Sequence, residues 1–435
     1  MSGPLNSATG ACDVIVIGAG AAGLLAAARS AERGHPTLLL EKNRKPGVKI
    51  LISGGTRCNL THDCDAAGII AAFGSAGPFL HSSLAALGPR ELIELFHAEG
   101  LPTKTEPGGK IFPQSDRAAD VLDALLRRLQ RSGAELRLGQ GVSGIERHGE
   151  SFRVETAAED FICQKLVVTS GGRSYPGCGT TGDGYAWLAA LGHTILRPRP
   201  ALVPLTSDEP WIHDLSGITI ADVKLRVVDP SAAAVKSQAT GRRSPGRLPP
   251  GVLIERRGSL LFTHFGLSGP VALDVSRAVT GAANPKALRI NADFLPQLSA
   301  EKLDESLRQL AATDGRKQIT SIPIADLPRR LIDALLARAD VPADRRAAEF
   351  SKIEQGRLIG QVKQCEIIVT GSRGFDKAEV TAGGVALDEV DSRDMQSKLV
   401  PNLYLAGEIL DLDGFIGGYN FQAAFSTGWL AGESV

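Results

Sequence analysis

Three glycines and a glutamate near the start of the sequence have the types and spacing needed to bind a dinucleotide. Gly18, Gly20 and Gly23 follow an apolar run, and Glu41 comes 18 residues after Gly23, at the end of the next apolar run. The first glycine permits a tight turn, the second removes a Cβ that would block a pyrophosphate, and the third lets a helix and a strand pack closely. The acid can accept hydrogen bonds from ribose hydroxyls, which FAD and NAD share, so this pattern leaves both cofactors open. The residues assigned to this part of the site are Gly18, Gly20, Ala21, Ala22, Gly23, Glu41 and Lys42.

Glycine-rich segments recur at three more distant places, and this recurrence favours FAD. An extended flavin dinucleotide needs several close backbone approaches, whereas a nicotinamide dehydrogenase would place catalytic groups in a separate domain. The first segment contributes Lys49, Ser53, Gly54, Gly55, Arg57, Cys58 and Asn59. The second, at the end of an apolar strand, contributes Ser170, Gly171 and Gly172. The third contributes Gly407, Glu408, Asp411, Gly417, Gly418, Tyr419, Asn420 and Gln422, and Val142 is assigned to the site as well.

Charged and thiol side chains in the first of these segments suggest particular contacts. Lys49 and Arg57 can meet phosphate oxygens or flavin carbonyls. Cys58 has no CxxC partner, so a small residue packed beside the cofactor is favoured over a redox thiol.

Two other features are weaker candidates for chemistry. His264, in LFTHFGLSGP, could act as a general acid or base, although a lone histidine is more often structural. Gly177–Gly182 formally repeats the GxGxxG pattern, but it begins seven residues beyond the strand end at Ser170, and Pro200 stands where an acid would be needed. A second dinucleotide domain for NAD(P)H is therefore not supported, and residues 181–183 are expected to cap the next helix.

The elements that would position these residues alternate as in an α/β fold. A strand at 13–17, a helix at 21–33 and a strand at 37–40 form a βαβ unit. Further elements are predicted as a helix at 118–131, a β-meander at 135–163, a strand at 165–170, a helix at 183–191, strands at 223–228, 251–255 and 260–263, helices at 300–312, 325–339 and 343–355, a strand at 402–406, and a helix from 420 through 429. We therefore predict a Rossmann-like domain built from both ends of the chain, 1–194 and 359–435. It is interrupted by a β-rich domain at 195–298 and a helical part at 299–358. The Pro-, Gly-, Ser- and Arg-rich stretch at 229–251 is expected to be a mobile loop.

Composition excludes several classes of protein. The 435 residues include 48 basic and 48 acidic side chains, so net charge indicates neither a nucleic-acid nor a membrane partner. The six cysteines show no CxxC spacing, which argues against a zinc site or a disulfide framework, and no metal is expected. No signal peptide and no long apolar stretch is recognised, so a cytoplasmic location is expected.

The glycine-rich segments together resemble the BaiN-like (YhiN-like) family of FAD-dependent oxidoreductases. The matching stretches are GAGAAG with EK, KILISGGTRCN, TSGGRSYPGCGTTGDGY, LFTHFGLSGP and NLYLAGEILDLDGFIGGYNFQAAF, which span residues 13 to 430. Fumarate reductase and succinate dehydrogenase flavoproteins are similar more distantly. One departure is Thr56, where the family commonly has glycine, so the local backbone freedom changes.

The resemblance implies a glutathione-reductase-like FAD domain that is interrupted by a β-barrel-like part and a helical part. In fumarate reductase types with covalently attached FAD, a histidine lies just ahead of the flavin loop. Residues 42–57 hold no histidine and His62 follows the loop, so non-covalent FAD is expected here. The resemblance also places the start of the last helix by the pyrimidine edge of the flavin, where its free N–H groups would stabilise the anionic reduced form. Asn420 and Gln422 would add side-chain contacts there, unless Gly417 and Gly418 merely shape a turn.

The activity implied is hydride transfer between flavin N5 and a small or medium organic substrate, with NAD(P)H as a transient donor. Reduction of an enone or another double bond is one form of it. Two alternatives stay open: an oxidase that uses O₂, as in aminoacetone oxidation, and a flavin-binding regulatory or RNA-associated protein with little turnover.

Overall fold

The computed structural model describes residues 11–232, 248–321 and 324–435. The chain divides into two compact units, Met1–Pro200 with Ala378–Val435, and Ala201–Lys377. Most of the stretch expected to be a mobile loop, residues 233–247, lies outside the described residues.

Strands and α-helices alternate along much of the chain, with a run of helices at 300–363. The strands are β1 Ala11–Ile17, β2 Thr37–Glu41, β3 Thr61–His62, β4 Thr103–Glu106, β5 Lys110–Pro113, β6 Glu135–Leu138, β7 Val142–His148, β8 Ser151–Thr156, β9 Asp160–Val168, β10 Ile195–Ala201, β11 Leu205–Thr206, β12 Thr219–Val228, β13 Val252–Thr263, β14 Gly266–Ser268, β15 Arg289–Asp293, β16 Cys365–Ile368, β17 Gly371–Ser372, β18 Val380–Val385 and β19 Leu403–Leu405. The α-helices are α1 Ala21–Glu32, α2 Val48–Thr56, α3 Ala66–Ala72, α4 His81–Ala86, α5 Pro89–Ala98, α6 Ala118–Ser132, α7 Asp183–Ala190, α8 Pro210–Asp214, α9 Pro270–Gly281, α10 Ala300–Thr313, α11 Arg329–Arg338, α12 Lys352–Lys363 and α13 Tyr419–Ser434.

A parallel sheet organises the first unit. Its strands lie in the order β6, β2, β1, β9, and β19 pairs with the carboxyl half of β9. The antiparallel meander β7–β8 extends the sheet from the amino half of β9. Because these parallel strands end at one edge, the segments that follow β1, β2, β9 and β19 meet there, which is where ligands bind in open α/β sheets.

Burial on both faces explains why the second half of β1, residues 14–17, is entirely apolar. Val14 and Val16 pack in one core cluster with α1, α6 and α13, whereas Ile15 and Ile17 pack in another on the opposite face. A strand covered on both sides has no solvent face, so it loses the alternation of polar and apolar residues. The fold is therefore the α/β, Rossmann-like arrangement predicted from the sequence.

The second unit is an antiparallel sheet covered by helices. The strand order is β16-β15-β12-β13-β14-β11-β17. On β12 the buried Val223, Leu225 and Val227 alternate with partly exposed charged residues, as expected for a sheet with one packed face. Helices α9 to α12 contribute to the same core cluster as this sheet. The β-rich and helical inserts thus share one core, and residues 359–377 belong to this unit because β16 pairs with β15.

Several predicted element limits differ from the structure, and local chemistry explains two of these differences. The helix expected at 343–355 is wrong in position: α12 begins after Ser351, whose hydroxyl accepts from the Glu354 N–H while the Glu354 carboxylate accepts from the Ser351 N–H. This capping box starts the helix there and lets it run to Lys363. The two short strands expected at 251–255 and 260–263 are one strand, β13, because Arg256, Arg257 and Gly258 continue the pairing with β12.

Within the described residues, no helix is long and apolar enough to span a membrane.

Candidate cofactor site

The turn after β1 has the glycine geometry that a pyrophosphate requires. Gly18 has a φ of +100°, and a Cβ on Gly23 would lie 1.8 Å from the Gly18 carbonyl oxygen, so neither position accepts another residue without rearrangement. Beside Gly20, by contrast, no described atom lies within 4 Å of an added Cβ. Helix α1 begins directly after Gly20 with no side-chain cap and no acid in its first turn. The turn therefore presents open space next to a positively polarised helix start, which suits a phosphate group.

Glu41 is held at the end of β2 by two backbone donors. Its Oε2 accepts from the Ala19 N–H at 2.7 Å and its Oε1 from the Asn43 N–H at 2.9 Å. The residue is 8% exposed. Each carboxylate oxygen keeps a further lone pair, so the predicted ribose contact fits this geometry and stays a prediction.

Lys42 ties the end of β2 to the start of α7. Its ammonium donates to Thr181 Oγ1 at 2.7 Å and Asp183 Oδ2 at 2.6 Å. Burial opposes ionisation of Asp183, but the hydrogen bonds from Lys42 and Thr181 outweigh it and lower the pKa of that carboxyl. The expected side-chain cap of α7 is absent among the described residues, because its N-cap is Gly182 at a φ of +84°.

Lys49 and Glu408 form an ion pair at the same edge of the sheet. Lys49 Nζ lies 2.5 Å from Glu408 Oε2 and 2.5 Å from Ser174 Oγ, and the Ser174 hydroxyl donates to Glu408 Oε1 at 2.6 Å. Thr381 completes the network: its N–H donates to Glu408 Oε1, and its hydroxyl oxygen accepts from the Ser174 N–H. A Cβ on Gly172 would collide with Thr381 Oγ1, so this glycine is needed for the close approach. The structure thus brings together residues from three of the predicted segments.

The segment Ser53–Cys58 has a left-handed backbone at four positions. Gly54, Gly55, Thr56 and Cys58 have φ values of 55°, 67°, 68° and 60°. This conformation interrupts α2 after Ser53 and exposes Gly54 and Gly55 to solvent. Cys58 itself is fully buried, and burial raises the pKa of its thiol to about 12. A thiol that stays protonated at neutral pH agrees with the packed role rather than the redox role.

Arg57 makes protein contacts in this structure instead of pointing freely into the site. Its guanidinium contacts Glu106 at 2.6 Å and Asp116 at 3.3 Å, and lies 4.1 Å from the centre of the Phe112 ring. Two carboxylates and an aromatic ring satisfy this cation, so the predicted contact with phosphate or flavin carbonyls would require these pairs to open.

The start of α13 is shaped by two glycines. Gly417 and Gly418 have φ values of +139° and +94°, and a Cβ on Gly418 would lie 2.4 Å from the Thr61 carbonyl oxygen. The helix that follows has no side-chain cap and no acid in its first turn. Asn420 uses its side chain to close the loop, accepting from the Gly414 N–H and donating to the Gly414 carbonyl.

The remaining residues of the last glycine-rich segment make mainly structural contacts. The buried Gln422 donates to the Leu87 carbonyl at 3.0 Å and to Ser426 Oγ at 2.9 Å. Asp411 Oδ1 accepts from the Gly383 N–H, and the Gly407 N–H donates to Thr427 Oγ1. Direct flavin contacts of Asn420, Gln422 and Asp411 stay predictions.

Val142 belongs to the first compact unit and His264 to the second. Val142 opens β7, is partly buried and packs against the core cluster that contains Ile15. His264 belongs to the second compact unit, is exposed, and meets the Phe265 ring edge-on at 5.0 Å. A catalytic role for His264 stays a prediction.

Sequence reasoning missed the hydroxyl residues that hold the glycine loops. Thr169 donates to the carbonyls of Ile17 and Gly18, and Ser174 and Thr381 link the loop after β9 to Glu408. The signal available was their position beside glycine pairs in VVTSGGRS and VTAGG.

Unpartnered polar atoms test whether these residues fit FAD. Asn59 Oδ1, Thr61 Oγ1, Ser170 Oγ and Gln422 Oε1 are buried and have no hydrogen-bond partner within the described part of the chain. Buried polar atoms are normally paired, so three such atoms on the predicted cofactor segments and a fourth on the nearby Thr61, together with the open space at Gly20, fit a polar ligand there. No group of three or more His, Cys, Asp or Glu side chains in residues 11–232, 248–321 and 324–435 is placed to hold a metal ion.

Comparison with known proteins gives one family across nearly the whole chain. The model of the HI0933-like protein Rossmann domain matches residues 12–434. A ribosomal RNA dihydrouridine synthase of Escherichia coli is 31% identical over 424 residues, covering 97% of this chain and 98% of that protein. A 3-dehydro-bile acid delta(4,6)-reductase of Clostridium scindens is 31% identical over 427 residues, with 97% and 98% coverage. A ribosomal RNA dihydrouridine synthase of Haemophilus influenzae is 31% identical over 429 residues, with the same coverage.

A Rossmann-domain family agrees with the glycine turn after β1 and with the acid at the end of β2. The chain belongs to the HI0933-like (BaiN/YhiN-like) Rossmann family, and it is an FAD-dependent oxidoreductase.

Proposed function

We propose that the protein reduces a carbon–carbon double bond conjugated to a carbonyl group, with hydride passing from flavin N5 to a small or medium organic substrate and NAD(P)H as the electron donor. The observation that carries this proposal is the chemistry common to the names of the relatives. One name describes reduction of a 3-dehydro bile acid, and the other describes a product, dihydrouridine, in which the ring double bond of uridine is saturated. In both cases the double bond is conjugated to a carbonyl.

The site supports this chemistry through position and electrostatics. Bound FAD would supply the hydride-transfer chemistry. The start of α1 would hold the pyrophosphate, and Glu41 the adenosine ribose. The Lys49–Glu408 pair would fix the loops around the middle of the cofactor. The uncapped start of α13 would favour the negative charge that reduced flavin carries.

An anaerobic experiment tests the proposal and separates the two substrate classes. The protein is reduced with NADH or NADPH and mixed with a 3-oxo-4,6-diene steroid or with uridine-containing ribosomal RNA, while flavin absorbance is followed. The matched controls are the saturated 3-oxo steroid and RNA whose uridines are already dihydrouridine. We expect reoxidation only by the conjugated compounds, with formation of the saturated product. Failure of both substrates to reoxidise the flavin faster than their controls would contradict the proposal.

Reduction of uridine in RNA is the second candidate, and the names of two relatives favour it. Reoxidation by the RNA alone would assign this substrate class, and reoxidation by the steroid alone would assign the first. Rapid reoxidation in air without either substrate would instead indicate an oxidase.

A further inference from the structure

The histidine that follows the first glycine-rich segment makes two directed contacts with the start of α13. His62 stacks on the Tyr419 ring with centroids 4.6 Å apart and planes inclined by 21°. His62 Nδ1 also lies 3.0 Å from the Gly417 carbonyl oxygen. A carbonyl can only accept, so Nδ1 must carry the hydrogen, and this bond fixes both the tautomer and the orientation of the ring.

Glycines on both sides of the imidazole make this arrangement possible. A Cβ on Gly109 would lie 2.5 Å from His62 Nε2, and a Cβ on Gly417 would lie 3.2 Å from His62 Nδ1 and 2.8 Å from the Tyr419 ring. Both glycines have positive φ values, +80° and +139°. The imidazole ring is therefore enclosed between these two glycines, and a larger residue at either position would displace the ring.

The backbone of His62 is held by strand pairing, so the position of its imidazole ring is fixed as well. His62 lies in β3, opposite Lys110 of β5, and the neighbouring Asp63 N–H donates to the Gly109 carbonyl at 2.7 Å. On the other side of His62, Thr61 is fully buried and its carbonyl oxygen packs against Gly418. A fixed strand thus determines where the Gly417–Gly418 turn lies.

The polar atoms around this turn have the character of a ligand contact. Thr61 Oγ1 and Asn59 Oδ1 are buried without a hydrogen-bond partner among the described residues, and Asn59 Oδ1 lies 2.8 Å from the place of a Gly418 Cβ. An amide oxygen suits a donor such as the flavin N3–H, and the adjacent helix start suits the flavin carbonyl oxygens.

We infer that His62 is a positioning residue: its Nδ1–H holds the Gly417 carbonyl, which aims the first N–H groups of α13 at the flavin and so raises the reduction potential. The inference rests on the proposed contact between the α13 start and the flavin. His62 itself need not touch the cofactor.

Two variants separate the hydrogen bond from the ring stack. His62→Phe keeps an aromatic ring against Tyr419 but removes the donor, whereas His62→Asn keeps an amide donor near Gly417 but removes the stack. His148→Phe, on the exposed end of β7, is the matched control. The flavin reduction potential is measured anaerobically with reference dyes and no substrate, so its outcome does not depend on which substrate the protein reduces.

We expect His62→Phe to lower the potential, His62→Asn to restore it towards the wild-type value, and His148→Phe to leave it unchanged. Equal potentials in all proteins, or an equal fall in both His62 variants, would overturn the inference. Should His62→Phe lose its flavin, the dissociation constant of FAD becomes the readout. His62→Phe is then expected to bind FAD more weakly than His62→Asn, and His148→Phe to bind it as tightly as the wild type. Equal weakening of FAD binding in both His62 variants would overturn the inference.

Discussion

At the scale of single residues, the chain uses glycine at most left-handed backbone positions of the glycine-rich segments, and Thr56 is an exception. Thr56 has a φ of 68°, between Gly55 and Arg57, and it is exposed. A β-branched residue in this region is strained by about 1–3 kcal/mol. The resembling family commonly has glycine at this position, and the positive φ of Thr56 explains that preference.

Thr56→Gly should therefore stabilise the fold. Relief of strain exceeds the entropy that glycine adds to the unfolded chain, so we expect a gain of about 1 kcal/mol in the free energy of unfolding. Urea denaturation measures it. Thr313→Gly, at the exposed end of α10, is the control and should lose rather than gain stability, because glycine adds entropy to the unfolded chain and no strain is relieved there. A loss of stability in Thr56→Gly as well would show that Thr56 is not strained.

Glu41→Ala should weaken FAD binding by about 1–3 kcal/mol, the scale of a hydrogen bond to a charged group. The change also leaves the Ala19 and Asn43 N–H groups without their carboxylate acceptor. Titration of apoprotein with FAD measures the effect, with the exposed Glu150→Ala as control. Unchanged affinity in Glu41→Ala would remove Glu41 from the cofactor site.

Cys58 should resist alkylation in the native protein. Burial raises the pKa of its thiol from 9.0 to about 12, so folding favours the protonated form. This contribution to stability is fully present below pH 9 and is lost as pH rises towards 12. Iodoacetamide at about pH 8, followed by peptide mass spectrometry, should modify the partly exposed Cys64 and Cys178 well before Cys58. Equal rates for Cys58 and Cys64 would contradict a packed thiol.

At the scale of elements, periodicity predicted several strongly patterned helices and strands, whereas a helix cap and strand pairing determined limits that it did not predict. Helices α1, α6 and α7 begin at the predicted residues and end within one residue of the predicted limits. The helix expected from 343 begins at Lys352, because the Ser351–Glu354 capping box outweighs the apolar pattern before it. Side-chain partners were not readable from spacing: Arg57 pairs with Glu106 of β4, which is distant in sequence.

The Gly418 turn is the element on which the proposed flavin contact of α13 depends. Gly418→Ala should lower flavin occupancy and the potential of any flavin retained, because a Cβ there meets the Thr61 carbonyl at 2.4 Å. Valine should have a larger effect than alanine. Gly356→Ala on α12 is the control, since no described atom lies within 4 Å of its added Cβ. Full occupancy and an unchanged potential in Gly418→Ala would place the α13 start away from the flavin.

At the scale of the whole molecule, both ends of the chain build one sheet and the middle builds another unit. The parallel pairing of β19 with β9 brings Glu408 to the same edge as Gly172 and Lys49. Sequence order alone predicted this return of the chain, because a strand followed by glycines and a helix recurs near the C-terminus. It could not predict that the β-rich and helical inserts share one core, since that depends on contacts between residues far apart in sequence.

The identity and attachment of the flavin released from the purified protein decide whether the site binds FAD without a covalent link. The protein is denatured with acid, and the supernatant is analysed by chromatography while the pellet is examined for fluorescence. We expect a yellow protein that releases FAD and leaves no flavin bound to the polypeptide. Release of FMN, flavin that stays with the denatured chain, or a colourless protein that cannot take up FAD would contradict this assignment of the site.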